Sequence, residues 1–138
     1  MPPGFATVSE GATIGKVNSK HNMVRFALLG VGRIGRLHAA NIIASPYASL
    51  SCVFDVRQDA AHDVAEEHSV PAETEIDAVL SKQEVDAVLI ATSTDSHVDL
   101  ITASARAGKA VLCEKPVAAY LSEGEAMLSE CAAAETIL

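Results

Sequence analysis

Residues 25–37, RFALLGVGRIGRL, constrain the fold more than any other stretch of the chain. A short apolar run passes through Gly30, Gly32 and Gly35, spaced G-x-G-x-x-G, into a segment with helical periodicity. The order is strand, tight loop, helix. Gly30 permits the turn off the strand, Gly32 leaves room for a pyrophosphate, and Gly35 lets the helix pack closely. A helix beginning near Arg33 aims its unpaired N–H groups and the positive end of its dipole at the loop, so an anion there is held largely by backbone. Glycines at this spacing also occur in ordinary loops, so the surrounding pattern has to decide.

That pattern alternates strand with helix. Val24–Leu29 reads as the first strand, and Ile34, Leu37, His38, Asn41 and Ile42 then fall at helical spacing until Pro46 stops the helix. Residues 50–54 form a second strand closed by Asp55, at the distance beyond the glycines where a dinucleotide fold carries an acid for the adenosine ribose hydroxyls. An acid there favours NAD, because the 2'-phosphate of NADP would be repelled; Arg57, able to grip that phosphate, keeps NADP as the alternative. Asp55 also reads as an N-cap, with Gln58 three residues on, for a helix through Ala60, Val64 and Ala65.

Residues 69–74, with Pro71 among them, suit a connection or short edge strand, and residues 75–81 a brief helix turning Ile76, Val79 and Leu80 inward. VDAVLIA, residues 85–91, is nearly all apolar, as a strand covered on both faces of a parallel sheet should be. The polar loop TSTDSH, residues 92–97, follows at its carboxyl end, where open α/β sheets bind ligands. A helix using Val98, Leu100, Ile101 and Ala105 stops at Gly108, residues 109–113 form another buried strand, and Glu114, Lys115 and Pro116 come directly after it. Ser122 and Glu125 form a capping box for a last helix with Ala126, Met127 and Cys131 on its apolar side, and residues 136–138 turn extended again. This rhythm calls for an α/β fold with a doubly wound parallel sheet.

Bulk properties exclude several classes. The 138 residues suit one domain, and 49% hydrophobic residues supply a core. A formal net charge of −8 leaves no broad basic surface for nucleic acid or anionic lipid, so a small soluble partner is expected. Cys52, Cys113 and Cys131 form no C-x-x-C pair and lie in or beside apolar runs, which points to a reducing, cytoplasmic setting. No run approaches the ~20 apolar residues of a membrane helix. Residues 1–23 lack a sustained apolar period and read as a flexible leader ahead of a cofactor domain over residues 24–138. His38 has no second ligand at a metal-binding interval and reads as a packed or partly exposed helix residue; no metal is expected.

With the glycine loop, Asp55, the ATSTDSH loop and the C-E-K-P segment in place, the chain from residue 24 onward resembles the glucose-fructose oxidoreductase, inositol dehydrogenase and MocA family. Its inositol dehydrogenase branch is the nearest. The resemblance implies a two-domain NAD(P)-dependent oxidoreductase acting on a secondary alcohol of a sugar or inositol-like cyclitol. It places Gly30, Gly32, Arg33, Ile34, Gly35, Asp55, Val56, Arg57, Ala91, Thr92, Ser93 and His97 at the cofactor, Glu114 on the nicotinamide ribose, and Lys115 beside nicotinamide and substrate as the catalytic proton-relay group.

Against the family pattern, the sequence reads as lacking the second α+β domain that carries the substrate pocket, and its sheet as truncated at the C-terminal end. A homo-oligomer or a partner chain supplying the missing domain is therefore expected, as is self-association through the uncovered face. The alternatives are a non-catalytic NAD(H)-binding module or a fragment without turnover, and a methyltransferase using the loop for S-adenosylmethionine, against which Glu114-Lys115-Pro116 argues.

Overall fold

The structure, a computed structural model, describes residues 23–138. The leader expected over residues 1–23 lies outside the described residues except for Met23. Five parallel strands, β1 (Val24–Leu29), β2 (Ala48–Phe54), β3 (Ala72–Glu73), β4 (Ala87–Ile90) and β5 (Ala110–Cys113), form one sheet in the order β3-β2-β1-β4-β5. The helices are α1 (Arg33–Ala44), α2 (Gln58–His68), α3 (Ile76–Leu80), α4 (His97–Arg106) and α5 (Leu121–Ala133), with a 3₁₀ turn at Thr94–Ser96. The doubly wound sheet expected from the alternation is present. Strand order reverses between β1 and β4, the crevice where such sheets receive ligands.

Period-two alternation sorts the core into two layers. Leu28, Val53 and Leu89 face α1 and α2, where Ala39, Ile42, Ala60 and Val64 meet them. Ala27, Leu29, Cys52, Val88 and Ile90 face the opposite way, against Val79 of α3, Ile101 and Ala105 of α4, and Met127 and Cys131 of α5. All four residues of β4 are buried, as its unbroken apolar run requires of a strand covered on both faces.

Four local expectations are corrected. Asp55 does not cap α2: the helix begins at Gln58 with Arg57 in the N-cap position, and the Asp55 carboxylate accepts the Arg57 N–H at 2.9 Å in a turn ahead of the helix. The capping box at Ser122 is not formed either, because α5 starts at Leu121 after Tyr120 with no side-chain cap and places Ser122 inside the first turn. β5 is an edge strand, so Leu112 is 52% exposed where a buried strand was expected. Leu37 lies on the outer side of α1, whose buried stripe is Gly35, Ala39 and Ile42. Beyond α5, Val111 N–H donates to Ile137 O at 2.8 Å, so the extended end of the chain aligns with the free edge of β5.

Candidate functional site

The loop after β1 is assembled by close backbone approach. Gly30 adopts φ +93°, and a Cβ there would lie 2.6 Å from the Ala91 carbonyl carbon, so the loops after β1 and β4 touch at the switch point. A Cβ on Gly35 would fall 1.9 Å from Gly30 O; the first turn of α1 rests directly on the loop backbone. Gly32 differs, with no atom within 4 Å of where its Cβ would stand. It is the N-cap residue of α1, which has no side-chain cap and no acidic residue in its first turn. The N-terminal N–H groups of a helix need partners, and here open space adjoins them. Such a helix start suits an anion, with the backbone of Gly32, Arg33 and Ile34 at hand to hold it.

Asp55 stands on one flank. Its Oδ2 accepts the Val31 N–H at 2.9 Å while Oδ1 takes Arg57 N–H, so the carboxylate is held at the end of β2 beside the glycine loop. Each oxygen keeps a further lone pair for a ribose hydroxyl. Arg57 and Val56 are exposed next to it, Val56 to 87%.

Glu114 and Lys115 stand on the other flank, at the end of β5. Glu114 N–H bonds Ile90 O at 2.9 Å, which extends the ladder and places the pair at the same sheet edge as the glycine loop. The Glu114 carboxylate meets His38 Nε2 at 2.6 Å through Oε1 and accepts the Lys115 N–H at 3.2 Å through Oε2. These bonds, the His38 contact foremost, hold its pKa below the ordinary glutamate value. Lys115 is exposed and its ammonium has no ion-pair partner among the described residues; its peptide bond to Pro116 is cis.

The polar loop after β4 lies between the flanks. Thr92 and Ser93 are fixed by Ser96, whose hydroxyl bonds Thr92 Oγ1 at 2.7 Å and Ser93 O at 2.8 Å. His97 lies beneath this loop. Expected at the cofactor, it is 1% exposed, with Nδ1 2.8 Å from Pro116 O and Nε2 3.0 Å from Thr92 O. Both ring nitrogens face backbone carbonyls, and the ring N–H donates to one of them, so the residue packs between the two loops from beneath. Sequence reading missed the partnership of His38 with Glu114, residues 76 positions apart, for which periodicity along α1 carried no signal. Among the described residues no three His, Cys, Asp or Glu side chains gather as a metal site.

A parallel sheet of this order, with an uncapped glycine-lined helix start at its switch point and an acid closing β2, defines a Rossmann dinucleotide-binding protein. The comparisons narrow that class: residues 24–138 match the oxidoreductase family with NAD-binding Rossmann fold that groups glucose-fructose oxidoreductase, inositol dehydrogenase and MocA proteins, and the chain belongs to this family. Inositol 2-dehydrogenase of Rhizobium meliloti (strain 1021) is 47% identical over 94 residues, covering 68% of this chain and 28% of that protein. Myo-inositol 2-dehydrogenase of Thermotoga maritima is 36% identical over 116 residues, 83% of this chain and 35% of that one. Among solved structures, GenD2 from gentamicin A biosynthesis, in complex with NAD, superposes with a TM-score of 0.81 at 25% identity, covering 85% of this chain and 34% of its own. The chain thus spans about a third of the length of these relatives.

Proposed function

We propose that this chain is the nicotinamide-dinucleotide-binding part of an oxidoreductase that moves hydride between a secondary alcohol of a sugar or inositol-like cyclitol and NAD. The observation that carries the reading is the open space over Gly32 at the uncapped start of α1, flanked by Asp55 on one side and Lys115 on the other. A dinucleotide laid across the switch point has its pyrophosphate at Gly32, Arg33 and Ile34, its adenosine ribose at Asp55, and its nicotinamide half toward Ala91, Thr92, Ser93 and the end of β5. Val56 covers the adenine side. Asp55 favours NAD, and Arg57 is the residue through which NADP would gain a hold.

When bound, the nicotinamide supplies the hydride acceptor. The protein's own contribution at the reacting end is Lys115, exposed on a turn held by Glu114, which handles the proton of the substrate hydroxyl as general acid–base group. Residues 24–138 form the cofactor domain, and substrate selection comes from a further domain or partner chain. The names of the relatives, inositol dehydrogenases, support a polyol as the substrate class. The free cysteines, with Cys52 and Cys131 buried, support a reducing, cytoplasmic setting. The second reading is a module that binds NAD(H) without turnover.

Titration with NADH and NADPH, following nicotinamide fluorescence, tests the assignment. Saturable NADH binding, tighter than NADPH and not displaced by S-adenosylmethionine, is the expected outcome. Displacement by S-adenosylmethionine would overturn it. Hydride transfer to NAD from a polyol series separates the two readings, since any turnover rules out the silent module.

A further inference from the structure

His38 lies on α1, the helix whose N-terminus forms the pyrophosphate cradle, while Glu114 lies beyond β5, on the nicotinamide side of the switch point. Their side chains meet at 2.6 Å, and both are largely shielded, with 22% and 32% of their side-chain surface exposed. Glu114 has no slack: one oxygen is on His38 and the other on the Lys115 N–H. No other side chain among the described residues hydrogen-bonds the carboxylate.

We infer that His38 is a positioning residue that acts through Glu114, fixing the Lys115 turn to the phosphate-binding helix so that the nicotinamide half of the site is set by the element that holds the pyrophosphate. The inference rests on the dinucleotide reading. Without His38, Glu114 loses its orienting partner and becomes an uncompensated carboxylate beside the path of an anionic ligand, and the turn carrying Lys115 loses its tie to α1. The adenosine half, built on Asp55 and Val31, does not depend on that tie. A purely structural histidine would affect both halves alike.

The test is His38→Ala in the full chain, a change that α1 tolerates because alanine is the better helix former. Affinity for NADH is expected to fall about tenfold, the loss of one charge-assisted hydrogen bond, while affinity for ADP stays within about twofold. His38→Gln, which keeps a donor for Glu114, is expected to recover most of the NADH affinity. The Lys115 amide resonance is expected to move in His38→Ala without any ligand, while that of Lys109 stays. Unchanged NADH affinity, equal losses for NADH and ADP, or an unmoved Lys115 amide would each overturn the inference. Failure of the unsubstituted chain to bind NADH would instead overturn the dinucleotide reading, and with it the ligand role of His38, whereas the Lys115 amide reports the tie by itself.

Discussion

An alanine Cβ at Gly35 would stand 1.9 Å from Gly30 O and 2.8 Å from Gly30 C, so α1 would have to lift off the loop. Gly35→Ala is therefore expected to cost about 2 kcal/mol or more of stability, an overpacking effect read as a lowered urea midpoint. Gly32→Val should behave in the opposite way, because its Cβ meets nothing within 4 Å: the fold stays and NADH binding is lost. A Gly32→Val variant that binds normally would count against the pyrophosphate cradle. Asp55 combines both kinds of role, since its carboxylate closes Val31 N–H, whose residue is 1% exposed. Asp55→Ala should lower stability by about 1–2 kcal/mol as well as weaken NADH binding, so it is a poorer binding control than Gly32→Val. At this scale the sequence was most informative where chemistry is local: glycine spacing announced the loop, and Asp55 followed at the expected interval.

His97 shows what elements add to residues. Its ring braces the loop after β4 against the turn after β5, through carbonyls at 3.0 and 2.8 Å. His97→Ala removes the ring N–H from between them and opens a cavity beneath the site, so a loss of about 2–4 kcal/mol is expected by urea unfolding. A loss near zero would mean that the brace is idle. A histidine in a polar loop at a strand's carboxyl end reads in sequence as a ligand contact, and only the packing of α4 under the loops shows that it is buried. The capping boxes at Asp55 and Ser122 were misplaced for a related reason: a side chain that can cap is also free to bond a nearby turn, and tertiary packing of α2 and α5 fixed their starts.

At the opposite end of the sheet, Arg25 on β1 grips Asp86 before β4 through Nη2 to Oδ1 at 2.7 Å and Nε to Oδ2 at 2.9 Å. The Arg25 side chain is the main cause of the lowered Asp86 pKa. A carboxylate with a depressed folded-state pKa contributes stability that is complete above its unfolded value and is lost as pH falls through the folded one. Asp86→Asn should therefore destabilise at neutral pH, by about 1 kcal/mol given the solvent screening of this pair, and flatten the acid limb of the stability curve. An unchanged acid limb would show that other carboxylates carry it.

For the whole molecule, the doubly wound parallel sheet was legible from alternation, because apolar period and strand–helix rhythm are set along the chain. Contacts across the sheet were not. His38 with Glu114 joins segments that neither periodicity nor motif connects, and Leu112 became exposed only because β5 lies at the edge. Near that edge a groove of about 360 Å³ is lined by Val117, Tyr120, Leu121, Met127, Leu128 and Leu138, with Tyr120 and Leu121 70% and 79% exposed. Apolar surface of this kind drives association, so sedimentation is expected to show self-association that rises with concentration and weakens in Leu121→Glu. A monomer at every concentration would contradict this. None of the described helices is long and apolar enough to cross a membrane.

In the proposed placement, one dinucleotide lies across the carboxyl ends of β2, β1, β4 and β5, with its pyrophosphate at the start of α1. Amide chemical-shift mapping of the labelled chain during NADH titration tests it most directly. Saturable shifts are expected at Gly32, Arg33 and Ile34, at Asp55 and Arg57, at Thr92 and Ser93, and at Glu114 and Lys115, with Arg25, Asp86 and Lys109 at the far edge unmoved. Shifts centred on that far edge, or no shifts at saturating NADH, would contradict it.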